Sequence, residues 1–142
     1  MRPAATGSPA YLAKRGAPVA PLDLAHHECL QFVGLGRPQP WLFAGVEQQV
    51  VETGGRLKMD SAEALIGAAV NGVGIINLPN YLVASEIRQG RLQPLPQSFA
   101  AEALPIRAIY PTRRHLTPKV RRLIDELIEA WQPVPPWEEA DA

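Results

Sequence analysis

The chain has 142 residues, 46% of them apolar, which suffices for one domain with a buried core and gives no sign of two independent ones. Fourteen Lys plus Arg balance fourteen Asp plus Glu, so the basic excess that an autonomous nucleic-acid binder uses against phosphates is missing. Cys29 is the single cysteine, which excludes an intramolecular disulfide and favours a reducing, cytoplasmic setting; no apolar run has the length of a signal peptide or a membrane span.

Ser8-Pro9 followed by Ala10 to Arg15 and then Gly16 predicts a short helix, with an N-cap, a first-position proline and a terminating glycine. Pro18 and Pro21 frame a turn, Leu22 to Ala25 suits one helical turn, and Cys29 to Val33 reads as a short strand. A loop rich in Gly and Pro runs from Gly34 to Pro40. Trp41-Leu42-Phe43 and Gln49 to Glu52 form the two arms of a hairpin-like element, and Gly54-Gly55 turns the chain into Arg56 to Met59.

Asp60-Ser61-Ala62-Glu63 then resembles a capping box, with Asp60 as the N-cap, ahead of Leu65, Ile66, Ala69 and Val70 on one helical face. Asn71-Gly72 ends that helix. Val73 to Pro79 is an apolar run of strand length, of the kind buried on both faces. Asn80 is expected to cap a further helix that stops at Gly90, and Leu92 to Leu95 and Ile106 to Tyr110 are strand candidates. Thr117 caps the last helix, with Pro118 at its first position and Val120, Leu123, Ile124, Leu127, Ile128 and Trp131 along one stripe. Gln132 to Ala142, with its prolines and acids, reads as a frayed tail. Helices alternating with short apolar strands make an α/β pattern.

The ordered set Ser8-Pro9-Ala10-Tyr11-Leu12 with Gly16, Trp41-Leu42-Phe43, Asp60-Ser61, Ala68 to Ile75 leading to Leu78-Pro79, Gly90-Arg91-Leu92, and Ile109-Tyr110-Pro111 with Leu116 to Val120 resembles the effector-binding domain of LysR-type transcriptional regulators. The resemblance implies an α/β fold of the type 2 periplasmic-binding-protein kind, present in part. Residues from about 8 to 104 would be the second lobe, 105 to 131 a hinge strand and the last helix of the first lobe, and 132 to 142 a flexible tail. The family's helix-turn-helix and the opening of its first lobe are not recognisable in the sequence, so DNA would be reached only through a module outside this chain. The last helix would then lack much of its partner surface, and self-association is the favoured way to cover it.

Candidate effector-binding residues come from the same comparison. Asp60 and Ser61 stand where a strand gives way to a helix, whose free N–H groups suit a carboxylate, although plain capping explains them too. Trp41 and Phe43 point to one side of their strand; that segment lines the interlobe cleft in resembling proteins, while core packing is an equal alternative. Pro79 and Asn80 follow a buried strand at its carboxyl end, where ligands of open α/β sheets bind, or they are a turn and a cap. Gly72-Val73-Gly74 follows a helix and precedes a strand, the reverse of a nucleotide loop. His26-His27-Glu28-Cys29 lacks metal-ligand spacing and reads as a surface turn entering a strand, with Cys29 a small core residue. The basic group Arg113, Arg114, His115, Lys119, Arg121 and Arg122 suits a partner or anion patch, but such a run is more often a solvated face, with Arg121 and Asp125, and Arg122 and Glu126, at ion-pair spacing.

The sequence therefore suggests the effector-sensing and oligomerisation part of a LysR-type regulator, taking a small metabolite such as a carboxylic acid, with no cofactor, no metal and no membrane association. A solute-binding protein of a transport system shares the fold and is the alternative; it requires export. No nucleophile, base and charge stabiliser occur in a pattern that suggests an enzyme.

Overall fold

The computed structural model describes residues 2–34, 36–43, 49–51, 53–96, 99, 107, 109 and 117–133. They fall into two compact units, Met1–Leu104 and Pro105–Ala142. The strand expected at Ile106 to Tyr110 and the tail beyond Pro133 lie largely outside the described residues.

The first unit opens with β1 (Pro3–Gly7), followed by α1 (Pro9–Arg15) and a 3-10 turn over Pro21–His26. Ser8 caps α1 by accepting from the Tyr11 N–H, and Gly16 leaves the helix at φ 84°, as its Ser-Pro…Gly frame requires. Next come β2 (Gln31–Gly34), β3 (Arg37–Pro38), β4 (Trp41–Phe43), β5 (Gln49–Val51) and β6 (Lys58–Met59), then α2 (Ala62–Val70), β7 (Ile75–Pro79), α3 (Asn80–Arg88) and β8 (Gln93–Pro94). The loop expected from Gly34 to Pro40 is instead partly the hairpin β2–β3; β4 and β5 pair antiparallel as the sequence suggested.

β1 is central to one sheet, antiparallel to β7 along its whole length and to β8 at Thr6 and Gly7. β2 pairs in parallel with β6 on one side. Its approach, at Cys29, bridges in parallel to Ile75 of β7, with Leu30 N–H donating to the Ile75 carbonyl at 2.8 Å and Ile75 N–H to the Glu28 carbonyl at 2.9 Å. That crossing is why position 74 is glycine: a Cβ there would lie 2.2 Å from the Glu28 oxygen, and one on Gly55 1.7 Å from the Cys29 oxygen.

Neighbouring residues of these strands feed different cores. Cys29 and Ile75 join Leu12, Leu24, Trp41, Phe43 and Phe99, whereas Leu30, Ile76 and Leu78 join Leu65, Ala69, Val83 and Leu92. Since successive strand side chains point to opposite faces, the two clusters lie on opposite faces of the sheet, the first with α1 and the β4–β5 hairpin, the second with α2 and α3.

One core position is imperfect. Thr6 is fully buried and its hydroxyl has no hydrogen-bond partner among the described residues. A buried hydroxyl without a partner costs free energy, so Thr6→Val is expected to stabilise the chain by about 1 kcal/mol in urea unfolding. A lower midpoint for the variant would contradict this.

The second unit contains α4 (Pro118–Ala130), capped by Thr117, which accepts from the Val120 N–H. Arg122 and Glu126 form the expected i,i+4 pair at 3.1 Å. No residue of α4 is buried.

Candidate functional site

The parallel strands β2 and β6 direct their carboxyl ends toward the start of α2, the position at which open α/β sheets receive ligands. The cap of α2 is Ser61, one residue later than the sequence suggested, and Asp60 is exposed outside the helix. Ser61 Oγ accepts from the Ala64 N–H at 3.2 Å and donates to Glu63 Oε2 at 3.0 Å. The Glu63 carboxylate is held below its usual range by its own backbone N–H and then by the Ser61 hydroxyl. An internal anion thus already occupies the positive end of this helix. Glu63 is exposed, and the sequence indicated it only as half of a capping box.

The other expected site residues lie elsewhere. Trp41 and Phe43 point to the same side of β4, as alternation requires, but both are 3% exposed. They stack edge to face with centroids 6.5 Å apart, and Phe43 does the same with Phe99 at 5.6 Å. They belong to the core on the face opposite α2, so the structure does not bring them together with Asp60 and Ser61 in one groove; the core alternative describes them. Pro79 ends β7 opposite Pro3 and is itself the N-cap of α3, without a side-chain cap bond. Asn80 is the first helical residue and not the cap. Its buried side chain accepts from the Arg2 N–H at 3.3 Å while its own N–H donates to the Arg2 carbonyl at 2.8 Å, tying the start of β1 to α3.

The His26 to Cys29 segment is a turn stitched to its surroundings. Tyr11 Oη accepts from the Glu28 N–H at 2.9 Å and lies 3.3 Å from His27 Nδ1, and the Glu28 carboxylate receives the Arg56 N–H at 2.6 Å. Burial holds the His27 pKa below its usual value. Among the described residues no group of three His, Cys, Asp or Glu side chains gathers around a point where a metal ion could sit.

Cys29 is fully buried, and burial, with the nearby Glu28 charge, pushes its thiol up to about 12. It is therefore a thiol at neutral pH, donating to the Leu24 carbonyl at 3.5 Å. We expect a disulfide reagent to leave Cys29 unmodified in the folded chain at pH 8 and to label it within seconds to minutes once urea unfolds the chain; equally fast labelling of both states would contradict this placement.

The family described as LysR substrate binding domain matches residues 2–132, and the chain belongs to that family. Among curated relatives, the HTH-type transcriptional regulator PtxR of Pseudomonas aeruginosa is 35% identical over 126 residues, covering 88% of this chain and 40% of PtxR. CrgA of Neisseria meningitidis serogroup B, also described as an HTH-type transcriptional regulator, is 30% identical, covering 86% of this chain and 41% of CrgA. The chain thus spans about 40% of the length of these relatives. The solved regulatory domain of CrgA, described as a LysR-type transcriptional regulator, superposes with a TM-score of 0.75 at 29% identity over 90% of this chain and 64% of that domain. The AphB regulatory domain of Vibrio vulnificus, at 23% identity and a TM-score of 0.67, shares the fold. That fold is the periplasmic-binding-protein-like type 2 fold, of which this chain forms part. Among the described residues no helix is long and apolar enough to cross a membrane.

Proposed function

We propose that this chain is the effector-sensing and oligomerisation portion of a LysR-type transcriptional regulator, the complete protein binding a small metabolite between two lobes and reaching DNA through a helix-turn-helix module. The observation that carries this reading is the family match over residues 2–132, together with relatives named as HTH-type transcriptional regulators. The effector meets this lobe at the α2 N-terminus. There the Ser61 hydroxyl and the first N–H groups of the helix receive a carboxylate once Glu63 has moved aside, and exposed Asp60 selects against a second negative charge nearby. Pro79 and Asn80 shape the neighbouring strand-to-helix turn, and Trp41 and Phe43 support the fold from the far face.

Because the other lobe supplies half of such a cleft, binding by this chain is weak. A panel of small carboxylic acids titrated into the isotopically labelled chain is expected to shift the amides of Ala62, Glu63 and Ala64 with dissociation constants of about 1 mM or weaker, corresponding to about 4 kcal/mol or less. Glu63→Gln should tighten that binding and Ser61→Ala weaken it. Tight binding to wild type, or no acid that moves these amides, contradicts the assignment.

A further inference from the structure

The asparagines of the chain, Asn71, Asn77 and Asn80, are followed by glycine, leucine and tyrosine, and the first of these pairs has a chemistry of its own. A main-chain nitrogen attacks the side-chain amide of an asparagine just before it, and glycine, with no side chain, hinders that attack least. Asn71-Gly72 lies where α2 hands over to β7, and Asn71 is exposed. Asn80 is buried, and so is the side-chain oxygen of Asn77.

In the folded chain the end of α2 holds this pair in check. The Gly72 N–H, which carries the nucleophilic nitrogen, donates to the Ala69 carbonyl at 2.9 Å. Asn71 Nδ2, the nitrogen that would leave, donates to the Gly67 carbonyl at 2.8 Å, and the same carbonyl accepts the Asn71 N–H at 3.2 Å. The main chain of Asn71 is near-helical, at φ −80° and ψ 11°, and has to leave that conformation before a ring can close. The last turn of a helix opens locally at low cost, and Gly67 within it weakens this one further.

We propose that Asn71 is a self-modification site of this chain, gated by the opening of the last turn of α2. Once the turn is open, the Gly72 nitrogen gives its proton to solvent and bonds to Asn71 Cγ. The bond from Cγ to Nδ2 breaks, ammonia leaves with a proton from solvent, and a five-membered succinimide remains. Water then adds to either ring carbonyl and opens the ring, giving aspartate or isoaspartate. Both products set a carboxylate at the negative end of α2, against the Gly67 carbonyl that the amide had bonded. Isoaspartate also lengthens the main chain by one carbon just ahead of Gly74, where a Cβ would already lie 2.2 Å from the Glu28 oxygen. Modification therefore loosens the joint between α2 and β7. The site is at the opposite end of α2 from the effector reading and does not rest on it.

The intact 142-residue chain, incubated at pH 8 with and without urea, tests this, with aspartate and isoaspartate at position 71 measured by peptide mass spectrometry. Both products are expected to accumulate at Asn71, about tenfold or more slowly in the folded chain than in urea, as expected for a reaction that waits on local opening. Over the same period Asn77 and Asn80 stay unmodified in the folded chain. A Cβ added to Gly67 meets nothing within 4 Å, so Gly67→Ala fits and strengthens the turn. It should slow the folded-state reaction about two- to fivefold and leave the rate in urea unchanged. Asn71→Asp, the direct product, should lower the thermal midpoint. Equal rates with and without urea, or a folded Gly67→Ala chain that reacts as fast as wild type, overturn the proposal. An unchanged midpoint for Asn71→Asp overturns the loosening of the joint.

Discussion

Alanine in place of Trp41 is expected to destabilise the first unit by about 3–5 kcal/mol, the usual cost of removing a large aromatic side chain from a packed core. The ring is 3% exposed and sits edge-on to Phe43, which sits edge-on to Phe99, so three aromatic residues depend on one another's position. Against a typical domain stability of about 5–15 kcal/mol, such a loss moves the urea midpoint far down. Leu42, between the two aromatics, is 45% exposed, and Leu42→Ala is expected to change stability by less than about 0.5 kcal/mol. The pair of variants separates the two roles the sequence left open. A Trp41→Ala chain that kept the wild-type midpoint while losing effector-induced shifts would place Trp41 in a binding cleft and not in the core.

The elements that could be read from the sequence are those whose ends carry chemical punctuation. Ser8-Pro9 with Gly16 bounds α1, Thr117-Pro118 opens α4, and the apolar run before Pro79 is β7. β1 escaped because Pro3-Ala4-Ala5-Thr6-Gly7 has almost no β-branched or aromatic content. It is a strand because β7 and β8 pair on its two edges, a partnership its own composition does not signal. β3 was hidden within the Gly- and Pro-rich stretch from Gly34 to Pro40, yet Pro38 is tolerated at that position of the short hairpin with β2. The candidate site was legible to the same extent. Alternation showed that Trp41 and Phe43 share a side but not which face of the sheet that side meets, since this depends on the Cys29 to Ile75 crossing between residues far apart in sequence. Asp60 and Ser61 were placed at the start of α2 from local signals, and the cap fell to Ser61 because its hydroxyl reaches the Ala64 N–H.

Aspartate at both Leu123 and Leu127 is expected to convert a self-associating chain into a monomer in sedimentation velocity. In α4 the side chains of Val120, Leu123, Leu127 and Ile128 are 41%, 59%, 39% and 50% exposed, spaced so that they form one apolar stripe. Full burial of such side chains is worth about 1.5–3 kcal/mol each, so covering the part still exposed, roughly half, is worth about 0.75–1.5 kcal/mol each, and a two-fold contact between copies counts every residue of the stripe twice. That sum is comparable to the 4–15 kcal/mol or so that association costs in lost freedom, so a dimer forms at micromolar to millimolar concentration and removing two of its leucines suffices to abolish it. The Arg122 and Glu126 pair, exposed at 83% and 65%, adds little, so association should persist or strengthen in high salt. None of these side chains enters either core cluster of the first unit, so the double variant should keep the wild-type unfolding midpoint of that unit. A wild-type chain that sediments as a monomer at several hundred micromolar would overturn the prediction, and a salt-dissolved dimer would assign the contact to charge and not to the stripe.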